Sequence, residues 1–170
     1  MILTVTKLSD NTFAFENVML HCKTDFDKDE TYVKCEDTIY RSVSSDISEG
    51  SIGIGNIQRN HHKFRLEEAI NVEEIEVKKD DYIDKLTIKL NKIRKDKKNI
   101  ITVHSDDFTK YITQRLKKNY FNKNQKLVFD YHESGILGEV ITKSSKSGFI
   151  GPDTELNIIT DELQINIIDS

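Results

Sequence analysis

Glu49-Gly50-Ser51-Ile52-Gly53-Ile54-Gly55-Asn56-Ile57-Gln58-Arg59 is the stretch on which the fold turns. Its first half, Ser51 to Gly55, reads as a small-residue strand or strand edge, because glycine inside an extended run marks a tight bend or a close approach of another backbone. Gly53-Ile54-Gly55 is the only Gly-x-Gly in the chain, Asn56 follows it, and no Gly-Lys-Ser/Thr occurs anywhere. A phosphate-binding loop is therefore absent, and with it P-loop nucleotide hydrolysis.

Upstream of this stretch the chain reads as short strands. Ile2 to Thr6, Thr12 to Leu20, Thr31 to Lys34 and Thr38 to Val43 are rich in β-branched and aromatic residues, and polar clusters such as Ser9-Asp10-Asn11 separate them. Downstream, Val72, Ile75 and Val77 sit in an acidic strand, and Leu86, Ile88 and Leu90 alternate with Thr87 and Lys89 at the period of a half-buried strand. One helix is marked. Ser105 is a candidate N-cap, Asp106 and Asp107 place negative charge in the first turn, and Phe108, Tyr111, Ile112 and Leu116 recur at helical spacing ahead of Lys117 and Lys118. Leu127 to Tyr131, Ile136 to Thr142, Glu155 to Ile159 and Leu163 to Ile168 are again strand-like, with turns expected at Ser134-Gly135 and Gly151-Pro152. The fold class is α+β and mostly β. A polar stretch around Lys79 to Asp84 separates two halves of roughly 80 residues, each marginal alone and expected to pack as one compact unit.

The chain has 170 residues, 32% of them charged and 36% apolar, with a formal net charge of −4, a balance that suits a packed globular interior. Its apolar runs are short, and Lys7, Asp10 and Glu16 interrupt the first twenty residues, which argues against a membrane span or a secretory segment and for a cytoplasmic protein. Cys22 and Cys35 are expected to stay reduced. Charge is uneven along the chain. Residues 85 to 126 carry thirteen Lys or Arg against three Asp, a net +10, so the remainder carries −14. Such a basic face steers acidic partners and makes their binding salt-sensitive. Its densest part, Lys92-Ile93-Arg94-Lys95-Asp96-Lys97-Lys98, either binds phosphates or an acidic protein segment, or is a solvated loop that offsets acidic neighbours. No aromatics are interleaved with it, which argues against nucleic acid.

His21, His61, His62, His104 and His132 show no metal-ligand spacing among themselves or with the cysteines, and surface positions are the default for them. No metal or cofactor is expected. Gly-x-Ser-x-Gly is absent and no nucleophile signature surrounds either cysteine, so the chain does not read as an enzyme.

The 49–59 stretch, followed by Phe64, Leu66, Ile70 and Val72, resembles the amino-terminal domain of N-ethylmaleimide-sensitive factor, the vesicle-fusion ATPase, in which a Gly-Ser-Ile strand leads to a Gln-Arg pair, a short helical turn and another strand. The second half is similar in order: helix Phe108 to Leu116, then Asn124-Gln125-Lys126-Leu127-Val128-Phe129-Asp130-Tyr131, which looks like that family's Gly-Gln-x-Leu-Val-Phe-x-Phe strand, and closing strands from Gly148-Phe149-Ile150 and Thr154 to Ile159. His61 stands where the family usually has Trp, and Asn124 replaces a Gly.

The resemblance implies a double-psi β-barrel over residues 1–80 and an α/β roll over 83–170, with a basic groove between them that grips a SNAP-like attachment protein through its acidic surface and performs no catalysis. It places the contact on Arg59, which matches the family's Gln-Arg arginine, and on Arg94 and Lys95, which fall on or beside its basic pair; Lys97 and Lys98 extend that patch. A stand-alone monomer is expected, without the ATPase rings, that competes with the ATPase or tethers something to its adaptor. The same architecture in the valosin-containing-protein ATPases and the ubiquitin fusion degradation adaptor implies an alternative partner, ubiquitin or a segregase cofactor; nucleic acid comes third.

Overall fold

The computed structural model describes residues 1–93, 99–141 and 146–169. They divide into two compact units, Met1–Lys79 and Asp80–Ser170, and the protein is mostly β, with an α+β character. The expected strand repertoire is largely present, and the exceptions have local causes.

In the first unit six strands close into a barrel: β1 (Ile2–Thr6), β2 (Met19–His21), β3 (Glu30–Cys35), β4 (Thr38–Ser44), β5 (Ser51–Gly53) and β6 (Ala69–Ile75). Around the ring the order is β1-β5-β2-β4-β3-β6, and β6 pairs with β1 to finish it. β1–β5 and β2–β4 are parallel, while β1–β6, β2–β5, β3–β4 and β3–β6 are antiparallel. Exchanging β1 with β4, β2 with β5 and β3 with β6 converts every pairing into another of the same sense. The barrel is thus two three-strand halves of equivalent connectivity wound through each other. Alternation along the strands turns Leu3, Val5, Val33, Cys35, Tyr40 and Val72 inward with Met19, Ile52 and Ile54 to fill the core.

Thr12 to Leu20 does not form the expected strand. Asp10 Oδ1 accepts from Thr12 N at 2.9 Å and from Thr12 Oγ1 at 3.0 Å, which starts a 3-10 helix over Asn11–Glu16, and Asn17 ends it in the left-handed region at φ 56°. A local side-chain cap here outcompetes the ladder, leaving only Met19–His21 extended. Val77 lies beyond β6, and the strand expected over Ser51 to Gly55 stops at Gly53. Two short helices complete the unit, α1 (Lys23–Phe26) and α2 (Asn56–His62).

The second unit holds a four-stranded sheet of order β11-β7-β10-β9, from β7 (Tyr82–Lys92), β9 (Lys126–Tyr131), β10 (Ser134–Val140) and β11 (Phe149–Thr160). β11 runs parallel to β7; the other neighbours are antiparallel. β8 (Ile101–His104) and β12 (Ile165–Ile168) form a separate parallel pair. The expected helix is α3 (Ser105–Arg115); His104 rather than Ser105 occupies its N-cap, and Ser105 opens the first turn. Phe108, Ile112 and Leu116 are fully buried against Leu86, Ile88, Phe129 and Ile136, with Phe108 edge-on to Phe129 at 5.2 Å. Gly138 faces this core, where an added Cβ would come within 2.5 Å of Phe129 Cε2 and 3.0 Å of Ile88 Cγ2.

Two expected turns move. Ser134 and Gly135 belong to β10, and the hairpin bends at His132-Glu133, whose φ values of 48° and 66° give the doubly left-handed turn that matches strand twist. Gly151 and Pro152 lie inside β11, where the register with β7 shifts between Ile150 and Glu155; β11 is an edge strand, and an edge with an interrupted ladder accommodates proline.

Candidate interaction site

α2 carries the Gln-Arg pair, and the reason for its placement is legible in its neighbours. Gly55 precedes it in extended conformation, and a Cβ there would stand 2.8 Å from Gln58 Oε1, so the glycine admits the buried amide. Gln58 Nε2 donates to Asn17 Oδ1 at 3.4 Å, tying α2 to the residue that ends the 3-10 helix. Arg59 turns the other way and stays half-exposed. Its Nη1 donates to Ile54 O at 2.5 Å and Nη2 reaches Asn56 Oδ1 at 3.5 Å. These use two of the five N–H donors of a guanidinium, so Arg59 fixes the entry to its own helix as well as presenting charge.

The far end of α2 is held by His62. Its Nε2 lies 2.7 Å from the Tyr40 hydroxyl and its Nδ1 3.4 Å from Glu36 Oε2. The network fits the tautomer with its proton on Nδ1: Tyr40 O–H donates to Nε2 and Nδ1–H points at the carboxylate. Phe64 stacks on the ring at 5.0 Å, and the His62 side chain is only 3% exposed. Burial pushes the Tyr40 phenol well above its ordinary range, with the nearby Cys35 adding to the shift. The chain Glu36–His62–Tyr40 has the atoms of a proton relay, but it ends on a phenol that burial keeps protonated, so it works as a clasp between α2 and the β3–β4 hairpin. Beside it a cleft of about 390 Å³ is lined by Lys34, Glu36, Phe64, Ile70, Asn71 and Glu73, a wall of mixed charge.

His104 and His132 are the surface residues expected, whereas His21 and the His62 ring are not. His21 is fully buried, with Nδ1 accepting from Ser42 Oγ at 2.7 Å and Nε2–H donating to Lys28 O at 2.8 Å. His132 lies outside, its Nε2 2.9 Å from Asp107 Oδ2, which also accepts from the Tyr131 hydroxyl at 2.8 Å. Both donors hold the Asp107 carboxyl below its usual range, His132 the more strongly. Among the described residues no group of three or more His, Cys, Asp or Glu is placed to hold a metal ion, and no helix is long and apolar enough to cross a membrane.

Of the residues proposed from sequence to meet a partner, Arg59 alone can be located. Arg94, Lys95, Lys97 and Lys98 lie outside the described residues, on the connection between β7 and β8. Arg59 belongs to the first unit and that connection to the second. Three other cations of the basic segment are already engaged: Lys89 with Asp161 at 2.5 Å, Lys126 with Glu139 at 2.9 Å, and the buried Lys92, whose Nζ donates to Asn99 O at 2.7 Å. Sequence reasoning missed Lys92 as a structural residue. The signal available was its place on the inward side of the Leu86-Ile88-Leu90 alternation, two residues after Leu90. Compared with protein-family models and with curated proteins, the chain matches none.

Proposed function

We propose that the chain is a non-catalytic protein-binding module of the type found at the amino terminus of the vesicle-fusion ATPase, a double-psi barrel followed by an α/β roll. The observation that carries this is the strand pairing of the first unit. Two parallel pairs, β1–β5 and β2–β4, sit either side of the central antiparallel β2–β5 pair, the connectivity that two interlocked ψ-shaped crossings require. One long helix against a four-stranded sheet supports the roll. The partner is an acidic, SNAP-like attachment protein, met by Arg59, Arg94, Lys95, Lys97 and Lys98; charged contacts of this kind set register and on-rate.

Calorimetric titration with a soluble attachment protein at two salt concentrations tests the reading. Saturable binding that weakens with salt is expected, and the folded triple variant Arg59→Glu/Arg94→Glu/Lys95→Glu is expected to bind about tenfold or more weakly. Unchanged binding by that variant overturns the site, and no binding at low salt overturns the partner. The second reading keeps the fold and takes ubiquitin or a segregase cofactor; the exposed Ile100 and Leu163 favour it, and it predicts little dependence on salt. Nucleic acid would instead show a steep logarithmic loss of affinity with salt.

A further inference from the structure

β6 has neighbours on both sides for only part of its length. Its pairing with β3 stops at Cys35 and Val72, because Glu36 turns away at φ 54° and leads into β4, whereas its pairing with β1 runs on through Asn71, Ile70 and Ala69. The register fixes which way the backbone of this one-sided part points. Met1 N donates to Val72 O at 3.1 Å and Val72 N to Met1 O at 2.8 Å, and further along Val5 N donates to Glu68 O at 2.8 Å. Bonded and non-bonded pairs alternate in an antiparallel ladder, so Ile2 with Asn71 and Thr4 with Ala69 are non-bonded pairs. The N–H and C=O groups of Ala69 and Asn71 therefore point away from β1, into the space that β3 has left, and among the described residues no turn or loop backbone group bonds to them there.

The 390 Å³ cleft beside the His62 clasp occupies that space. Ile70 turns into the barrel and Asn71 and Glu73 turn out of it, yet all three line the cleft, so it meets the edge of β6 rather than either face. Lys34 and Glu36, at the end of β3, and the ring of Phe64 form its other walls. The surroundings are acidic. Residues 34–37 and 63–74 together carry six Asp or Glu against three Lys or Arg, and Glu74 alone of the six is taken up by both Lys28 and Thr31. The first unit as a whole has fifteen Asp or Glu against ten Lys or Arg, a net −5.

We infer that β6 takes an added strand at Ala69 and Asn71: an extended, basic segment of a partner protein that lies in line with β3 and completes the ladder β3 leaves unfinished. Donors and acceptors alternating at strand spacing are matched by another extended main chain, which is what selects a polypeptide as the occupant. Successive side chains of the added strand point to opposite faces, so one settles on Phe64 and Ile70 while the next carries its positive charge toward Glu36 and Glu73. The carboxylate excess disfavours nucleic acid and anionic membranes, and it sets two copies of this acidic unit against each other, which favours a basic partner over self-association. This surface is separate from the contact proposed for Arg59 and the 94–98 segment, which calls for an acidic partner, and does not depend on it.

The test pans a displayed library of random twelve-residue peptides on the wild-type chain and follows the tightest binder by residue-resolved amide hydrogen exchange. The expected result is enrichment of sequences in which Lys or Arg alternates with large apolar residues. The amides of Ala69 and Asn71 should exchange fast in the free chain and about tenfold or more slowly in the complex. Methylating alternate backbone nitrogens of the peptide keeps its charge and blocks its donors along one edge, and one of the two alternate sets should weaken binding about tenfold or more. Glu73→Lys, at an exposed position, should weaken it about threefold or more while circular dichroism stays that of the wild type. Protection of both amides in the free chain, no enrichment, enrichment of acidic or uncharged sequences, or binding unchanged by either methylated set or by the folded variant overturns the inference. So does protection that appears on concentrating the chain alone together with a dimer in sedimentation velocity, which assigns the edge to a second copy. The attachment protein plays no part in this assay, so the two proposals fail separately.

Discussion

Replacing the Tyr40 hydroxyl isolates the clasp on α2. Tyr40→Phe removes the partner 2.7 Å from His62 Nε2 and leaves that nitrogen inside a site where the imidazole side chain is 3% exposed. A buried acceptor without its donor costs about 1–3 kcal/mol, so a loss of about 1–2 kcal/mol is expected, tempered by the outer Nδ1 contact with the exposed Glu36. His62→Phe removes the imidazole acceptor, keeps an aromatic ring against Phe64, and should cost less, because Thr38 also bonds the phenol and remains its partner. The double variant replaces both polar partners by apolar groups of like shape, and the two penalties should not add: it should be about 1 kcal/mol more stable than their sum. Urea unfolding followed by circular dichroism, with equal m-values across the set, measures all four corners of the cycle. A coupling below about 0.3 kcal/mol would mean that the hydroxyl and the imidazole are not energetically paired, and the clasp would be wrong.

Two further outcomes follow from ionisation. Burial pushes the Cys35 thiol up to about 12, while Cys22 is partly exposed with Sγ 3.1 Å from Thr24 Oγ1; a native thiol titration should therefore show one reactive group and unfolding should release the second, and two equally fast thiols would contradict the buried Cys35. Because Asp107 has a folded pKa below its ordinary 3.8, its contribution is present above that value and lost as pH falls through the lower one, so wild type should lose more thermal stability below about pH 4 than Asp107→Asn, and equal losses would show that the His132 and Tyr131 bonds carry no linkage.

Strands whose pattern is set by partners on both sides were readable along the chain. Leu86, Ile88 and Leu90 alternate because one face of β7 is core, and Phe108, Ile112 and Leu116 recur because α3 lies on that same core. What escaped was decided by short-range chemistry. Phe13-Ala14-Phe15 has strand composition, yet Asp10 captures the backbone first. His132-Glu133 forms a left-handed turn without the Asn-Gly that announces one, since pairing on both flanks dictates its backbone. β8 was hidden because its four residues, Ile101–His104, run straight into the helix cap. The site divides the same way. Arg59 could be named from a motif, but its bond to Ile54 O depends on where the chain bends after β5, and a cleft lined by Lys92, Ile93, Asn99, Glu133 and Gly135 exists only because residues distant in the chain are drawn together.

The ring order has a consequence for how the chain is made. β1 is held between β5 and β6, so neither of its edges has a partner until Ser51–Gly53 and then Ala69–Ile75 have been synthesised. At translation rates of about 5–20 residues per second, Ile2–Thr6 leaves the ribosome several seconds before the strand that will close over it. During that interval Leu3 and Val5, fully enclosed at the end, are open to any other extended chain. The step that completes the barrel is therefore also the one that withdraws the nascent protein from aggregation, and crowding on a polysome should penalise variants that delay β6 more than variants that weaken the finished core.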